Sequence, residues 1–134
     1  MRNIGCLRYL LHTRPDLSFS VGVLSRYMQS PKVSHEAALE VVLWYLKGTC
    51  DYGICFKRAE ESRVVGYSDS SHNVDEDDGR STTGHVFYYA DCPITWSSHK
   101  QETVALSSCE AEFMAATDAA KQAIWLQDLQ GEIQ

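Results

Sequence analysis

The sequence contains no apolar segment long enough to cross a bilayer, and its first residues lack the apolar core of a signal peptide. Its five cysteines form no C-x-x-C pair and are odd in number, which argues against a disulfide framework and against a zinc knuckle. The five histidines are scattered and give no metal-ligand spacing. These absences indicate an intracellular protein, cytoplasmic or nuclear, with reduced thiols and no membrane contact.

Charge is distributed unevenly along the chain. Hydrophobic residues make up 44% and charged residues 22% of the 134 positions, a balance typical of a folded globular domain. Residues 1–58 contain eight Lys and Arg against four Asp and Glu, a net charge of +4, whereas residues 59–134 contain four against fourteen, a net charge of −10. This division predicts two units, and an acidic unit repels nucleic acid unless cations intervene.

Three short helices are predicted for the first fifty residues, where apolar side chains recur every three to four positions. The first covers residues 3–12. The second begins near Thr13, a typical N-cap residue that a proline follows in the first turn. The third begins at Ser34 and ends at about Lys47, with Gly48 beyond its end. The segment is therefore expected to fold as an all-α unit.

The pattern changes to short strands after residue 50. Candidate strands lie at residues 52–56, 64–68, 84–89 and 94–98. Residues 59–62 are polar and predict a turn, and residues 90–93 predict the hairpin connection between the last two strands. The strands are therefore expected to form an antiparallel meander.

A long helix is predicted from Ser107 to about Leu129, because Ser107 and Glu110 have the spacing of a capping box. Residues 71–81 are polar and acidic, but they lack the alternating oxygen ligands and the distal glutamate of a calcium loop, so a solvated loop is expected. Aromatic residues of the strands, such as Tyr67 and Tyr88, are expected to pack in the core or on the sheet rather than to stack on bases.

Two acidic residues have positions suited to chemistry. Asp69 ends an apolar strand at the rim of the expected sheet, and Glu112 lies one turn into the long helix. Small residues are expected to share its helix face and to let it approach Asp69, namely Ala115, Ala116, Ala119 and Ala123. Two carboxylates about 4 Å apart repel unless a proton or a cation lies between them, and with Mg²⁺ they form half of a two-metal site.

The residues alone leave a simpler alternative open for both acids. An aspartate at a strand end often only forms a turn, and a glutamate early in a helix often only complements the helix dipole. Glu110 is about 200° from Glu112 around the helix, so the two cannot face one site, and Glu110 is the expected partner in the capping box.

Several runs of the sequence resemble one known family, in order, along essentially the whole chain. The end of a copia-type retrotransposon reverse transcriptase is similar to the runs at residues 4–10, 13–19, 45–49 and 51–53. The ribonuclease H domain that follows it is similar to the runs at residues 66–69, 77–78, 81–84, 93–98, 100–101, 104–113 and 119–121.

The resemblance implies a chemistry and a site. Ribonuclease H of this family uses carboxylates and two Mg²⁺ ions to hydrolyse the RNA strand of an RNA–DNA hybrid. Matched by motif, its first-strand aspartate falls on Asp69 and its helix glutamate on Glu112, which would be both catalytic residues and metal ligands. The family's two later acids follow the long helix and are not among the residues up to Gln134, so the isolated chain is expected to be inactive.

The sequence also departs from the family pattern within the loop after Asp69. Ser71 and His72 stand where the family usually has a second aspartate and a tryptophan, Val74 replaces a glycine, and Gly79 stands at the place of an arginine. Such drift is expected of a decayed or host-adopted fragment.

The resemblance implies an α+β fold in two parts. A helical segment, residues 1–50, corresponds to the end of the reverse transcriptase, and residues 51–134 form a truncated ribonuclease H-like domain with a three-stranded antiparallel meander and a long helix. An alternative function is a non-catalytic module that binds another protein, or forms a homo-oligomer through the exposed sheet edge. Nucleic-acid binding by the basic half alone is a third hypothesis, although its basic residues show no clustering.

Overall fold

The computed structural model describes residues 2–58, 63–72, 75 and 77–133. They divide into two compact units, Met1–Phe56 and Lys57–Gln134. The boundary expected from the sequence lies after residue 50. Position 74 and the turn expected at residues 59–62 lie outside the described residues.

Helices build the first unit. They are α1 (Arg2–Leu10), a 3₁₀ helix (Pro15–Leu17), α2 (Ser18–Arg26) and α3 (Val33–Gly48). One apolar face of each α-helix points into a common core, because the buried residues recur at helical spacing. The core residues are Ile4, Leu7, Leu17, Val21, Leu24 and Val42. The third helix ends slightly later than predicted, with Gly48 as its last residue rather than beyond it.

The connection between α1 and α2 differs from the prediction. Thr13 is not an N-cap: its hydroxyl donates to the carbonyl of Leu10 at 3.3 Å, at the end of α1. Arg14 occupies the cap position of the 3₁₀ helix and makes no side-chain cap bond there. The chain follows this course because the Arg14 side chain has partners further along the chain, described below.

A three-stranded antiparallel sheet opens the second unit. Its strands are β1 (Val64–Ser71), β2 (Thr82–Tyr89) and β3 (Cys92–Lys100), in the order β1-β2-β3. With the long helix α4 (Ser108–Ile133), the sheet confirms the predicted α+β class with a meander and one long helix. The strand candidate at residues 52–56 was wrong, since these residues form neither a strand nor a helix.

The β2–β3 hairpin closes through a two-residue turn. Ala90 and Asp91 both have positive φ, 52° and 62°, as a type I′ turn requires. Cys92 already pairs with Tyr89, so β3 begins within the segment that the sequence assigned to the connection.

A capping interaction starts α4, as predicted. The Glu110 backbone N–H donates to Ser107 Oγ at 3.1 Å. The Glu110 carboxylate accepts the Leu106 N–H at 2.7 Å, one residue earlier than in the standard capping box.

Small residues of α4 lie against the sheet. The buried small residues are Ala111, Ala115 and Ala119, and the larger Leu126 is buried nearer the end of the helix. Phe87 of β2 forms the apolar core of this unit with Ala119 and Leu126. Gly66 of β1 lies against the Phe87 ring, where a side chain would collide with it. The helix contacts β1 more extensively than β2, so it lies towards the β1 edge of the sheet.

Candidate functional site

Asp69 lies on the sheet face that points away from α4. In the regular β1–β2 register Gly66 pairs with Phe87, whose ring packs under α4, and Asp69 pairs with Gly84. Successive strand residues point to opposite faces, so Asp69 shares the outer face with Tyr67 and not the helix face with Gly66. Its side chain is exposed.

Glu112 lies in the first turns of α4, one position beyond Ala111. Because Ala111 is fully buried against the sheet, a residue about 100° further around the helix turns towards its flank. Glu112 is accordingly exposed. Ala116, expected on the packed face, is exposed as well, whereas Ala115 and Ala119 are buried as expected.

Both predicted acids, Asp69 and Glu112, are exposed. No hydrogen bond joins them among the described residues, and their joint role as metal ligands stays a prediction. Within that same part of the chain, no three His, Cys, Asp or Glu side chains are grouped to hold a metal ion. Binding of Mg²⁺ by Asp69 and Glu112 stays what the resemblance implies.

Two aspartates of the acidic loop, Asp75 and Asp78, form ion pairs with one lysine. Asp75 is buried, with a side-chain exposure of 2%, and its carboxylate lies 2.6 Å from the Lys100 ammonium at the end of β3. The same ammonium lies 2.7 Å from Asp78, and this hydrogen bond lowers the pKa of the Asp78 carboxyl. The expectation of a purely solvated loop was wrong at Asp75, because Lys100 compensates its burial.

Arg14 in the first unit is a buried charge that the sequence did not reveal. Its guanidinium makes a two-pronged contact with Asp16, at 3.0 Å and 2.7 Å. It also donates to the carbonyl and the hydroxyl of Thr49, the C-cap residue of α3, at 3.0 Å and 2.8 Å. The hydrogen bond from Arg14 lowers the pKa of Asp16. The cluster ties the α1–α2 connection to the end of α3.

A second polar cluster that the sequence did not reveal lies between the sheet and α4. His99 of β3 contacts Asp118 of α4, and His85 of β2 lies beside them. No spacing rule could have found it, because its members come from three separate elements.

Aromatic residues decorate the outer sheet face. Tyr67 and Tyr88 pack edge to face with ring centroids 6.0 Å apart, as expected for packing on a sheet, but Tyr67 is 62% exposed. They line a groove with Val65 and Val86. In the part of the chain that the structure describes, no helix is both long and apolar enough to span a membrane.

The chain is similar to an effector protein and to retrotransposon Pol polyproteins. It is 45% identical over 124 residues to the secreted RxLR effector protein 161 of Plasmopara viticola, covering 92% of this chain and 87% of that protein. It is 42% identical over 130 residues to the retrovirus-related Pol polyprotein from transposon RE2 of Arabidopsis thaliana, covering 97% of this chain. The identity to the Pol polyprotein from transposon TNT 1-94 of Nicotiana tabacum is 40% over 124 residues, 92% of this chain.

The coverage of these relatives differs greatly. The chain spans only 9% of the length of each of the two Pol polyproteins, although it spans most of the effector. No family model matches the sequence, and no solved structure matches it. The identities extend along nearly the whole chain, through the helical unit and the sheet unit alike; the chain therefore belongs to the same family as the effector protein, and it is similar to one segment of the retrotransposon Pol polyproteins.

Proposed function

We propose that the second unit is a ribonuclease H-like module of the copia type, whose ancestral activity is Mg²⁺-dependent hydrolysis of RNA in RNA–DNA hybrids. The Pol relationship supports this proposal, and so does the order of a three-stranded antiparallel meander followed by a long helix. The first unit would then be the end of the reverse transcriptase.

In its present form, we propose, the chain acts through assembly with another polypeptide rather than through hydrolysis by Asp69 and Glu112. The observation that carries this proposal is the position of α4. The helix lies mainly over β1, which has a strand neighbour on one side only in the described sheet. Because a helix packs its apolar stripe on a sheet, a further strand paired beside β1 would also lie against α4.

The free edge of β1 has chemistry that a further strand would satisfy. Its outward N–H and C=O groups are a template for strand addition. The hydroxyls of Ser70 and Ser71 are also buried without a hydrogen-bond partner among the described residues. Buried polar groups of this kind are destabilising until they are paired. The partner strand is proposed to come from a second copy of the chain.

The comparisons also support a role other than hydrolysis. The relative that the chain covers almost completely is named as an effector protein, whereas the Pol polyproteins are covered over a short segment. A module that binds a protein partner fits the first of these relationships.

Light scattering after size-exclusion chromatography tests the assembly proposal. We expect a dimer or larger oligomer of the wild type, and we expect Tyr67→Lys to yield monomers, because a lysine in an edge strand disfavours further pairing. Ile94→Lys is the matched control, since Ile94 is a partly exposed apolar residue of β3, the opposite edge strand. A wild type that stays monomeric up to high concentration contradicts the proposal.

A cleavage assay on a labelled RNA–DNA hybrid with Mg²⁺ tests the enzymatic alternative. Because no three His, Cys, Asp or Glu side chains are grouped to hold a metal ion among the described residues, we expect no cleavage above background. Cleavage that disappears in Asp69→Asn would show that the two acids converge in solution and would restore the nuclease as the present function.

A further inference from the structure

Three side chains meet where the sheet faces α4. The register pairs His85 with Ser97 and Thr83 with His99, so the two histidines are diagonal neighbours on the helix face of β2 and β3. The His99 Nε2 atom lies 3.2 Å from Asp118 Oδ2 on α4. This contact links β3, the strand furthest from α4, to the helix.

His99 has a partner at each ring nitrogen. Its Nδ1 lies 3.2 Å from Ser97 Oγ, and its Nε2–H donates to Asp118. A serine hydroxyl can donate to a neutral imidazole nitrogen and can also accept from a protonated one. Both ring nitrogens of His99 therefore have a hydrogen-bond partner.

His85 differs from His99 in this respect. Its Nδ1 is buried and has no hydrogen-bond partner among the described residues, and its ring packs edge to face on Phe87 at 5.7 Å. Burial lowers the pKa of His85, and the neighbouring His99 lowers it further, while Asp118 acts in the opposite direction. A proton on the His85 Nδ1 atom would place a buried N–H where the described residues offer no acceptor.

Few other charges act on this cluster. The residue of β1 opposite His85 is the uncharged Ser68, and β3 contributes only His99. On α4, Lys121 lies 3.2 Å from Asp118. Burial raises the pKa of Asp118, but hydrogen bonds from Lys121 and His99 outweigh this and hold it below the usual value, so Asp118 stays ionised in mild acid.

We infer that His85, beside the His99–Asp118 contact, makes the docking of α4 on the sheet a pH-sensitive latch, which is closed at neutral pH and weakened in mild acid. His85 is neutral in the closed state and accepts a proton when the helix separates from the sheet. Because the open state binds the extra proton, the closed state is fully favoured above the ordinary histidine pKa of about 6.5 and loses stability as the pH falls below it. The inference does not depend on the proposed assembly at β1.

Amide hydrogen exchange of α4 in the full chain, measured between pH 7.5 and 5.5 and divided by the intrinsic rate at each pH, tests the latch. We expect the opening equilibrium constant of α4 to rise by up to about tenfold per pH unit below the histidine range, as uptake of one proton requires. His85→Phe should remove this pH dependence, because phenylalanine keeps a ring on Phe87 and cannot be protonated.

A control variant and a direct titration make the outcome unambiguous. His72→Gln removes an exposed histidine of the same unit and should leave the wild-type pH dependence intact. If His85→Phe fails to fold, an NMR titration of the wild-type imidazole resonances tests the latch instead. The pKa of His85 is expected to lie below that of a free imidazole. The latch is wrong if α4 protection is independent of pH, if His85→Phe retains the dependence, or if His85 titrates at or above the free value.

Discussion

Replacement of Arg14 by lysine tests the main polar contact of the helical unit. The Arg14 side chain is 7% exposed, contacts Asp16 through two of its nitrogens and also binds the main-chain and side-chain oxygens of Thr49. Its guanidinium carbon lies 5.8 Å from the ring centres of both Tyr45 and Tyr52. A lysine keeps the positive charge but offers one nitrogen in place of a planar fork.

The magnitude follows from the bonds that lysine cannot make. A single ammonium can retain a contact with Asp16, but it cannot at the same time reach both oxygens of Thr49. The loss of two hydrogen bonds to a charged donor, with the C-terminal carbonyl of α3 left without its cation, should cost about 3 kcal/mol of unfolding free energy. Arg14→Met removes every contact and leaves Asp16 without its cation, so its cost should be about 4 kcal/mol.

Urea denaturation followed by amide exchange in α3 measures these differences. Arg8→Lys is the matched control, because Arg8 is an exposed arginine of α1 in the same unit and its replacement should change stability by less than about 0.5 kcal/mol. If Arg14→Lys is as stable as Arg8→Lys, the hydrogen bonds to Thr49 do not hold the end of α3, and the reasoning fails.

Three further predictions concern other contacts. Lys100→Met leaves the buried Asp75 carboxylate without its cation and should destabilise the sheet unit by about 3 kcal/mol in thermal unfolding, most of which Asp75→Asn should restore in the double variant. Gly66→Ala places a methyl group on the Phe87 ring and should cost about 2 kcal/mol, whereas Gly131→Ala, with open space around it, should cost nothing measurable. The pKa of Asp16 is lowered in the folded state, so its ionised carboxylate stabilises the folded state above the unfolded pKa of about 3.9. This contribution to the free energy of unfolding is lost as the pH falls through the folded pKa. In a measurement of stability against pH, Asp16→Asn should therefore reduce the loss of stability in acid.

Local features of the sequence predicted much of the fold. Ser107 and Glu110 lie three residues apart and marked the start of α4, since a capping interaction needs only neighbouring residues. Turn residues marked the β2–β3 hairpin for the same reason. Residues 52–56 were wrongly predicted to be a strand, because they have the composition of a strand. A strand also needs a neighbouring strand to pair with, and the local sequence does not encode that neighbour.

Contacts between distant residues could not be predicted in this way. Thr49, the hydrogen-bond partner of Arg14, lies 35 positions further along the chain. Nothing near Asp75 in the sequence indicates that this buried carboxylate will pair with Lys100. The direction in which a strand side chain points could not be predicted for a related reason. Whether Asp69 faces α4 depends on the register of β1 against β2, and a shift of one residue would reverse the answer.

The tight turn at Ala90 and Asp91 has a consequence for the order in which the sheet unit folds. A hairpin closed by two residues forms within about 10 μs, because only a short loop must be ordered before its strands meet. The contact of α4 with β1 closes a much longer loop and carries a larger entropic cost. Folding should therefore begin at the β2–β3 hairpin, with α4 docking last, so substitutions in the hairpin slow folding whereas substitutions under α4 mainly accelerate unfolding.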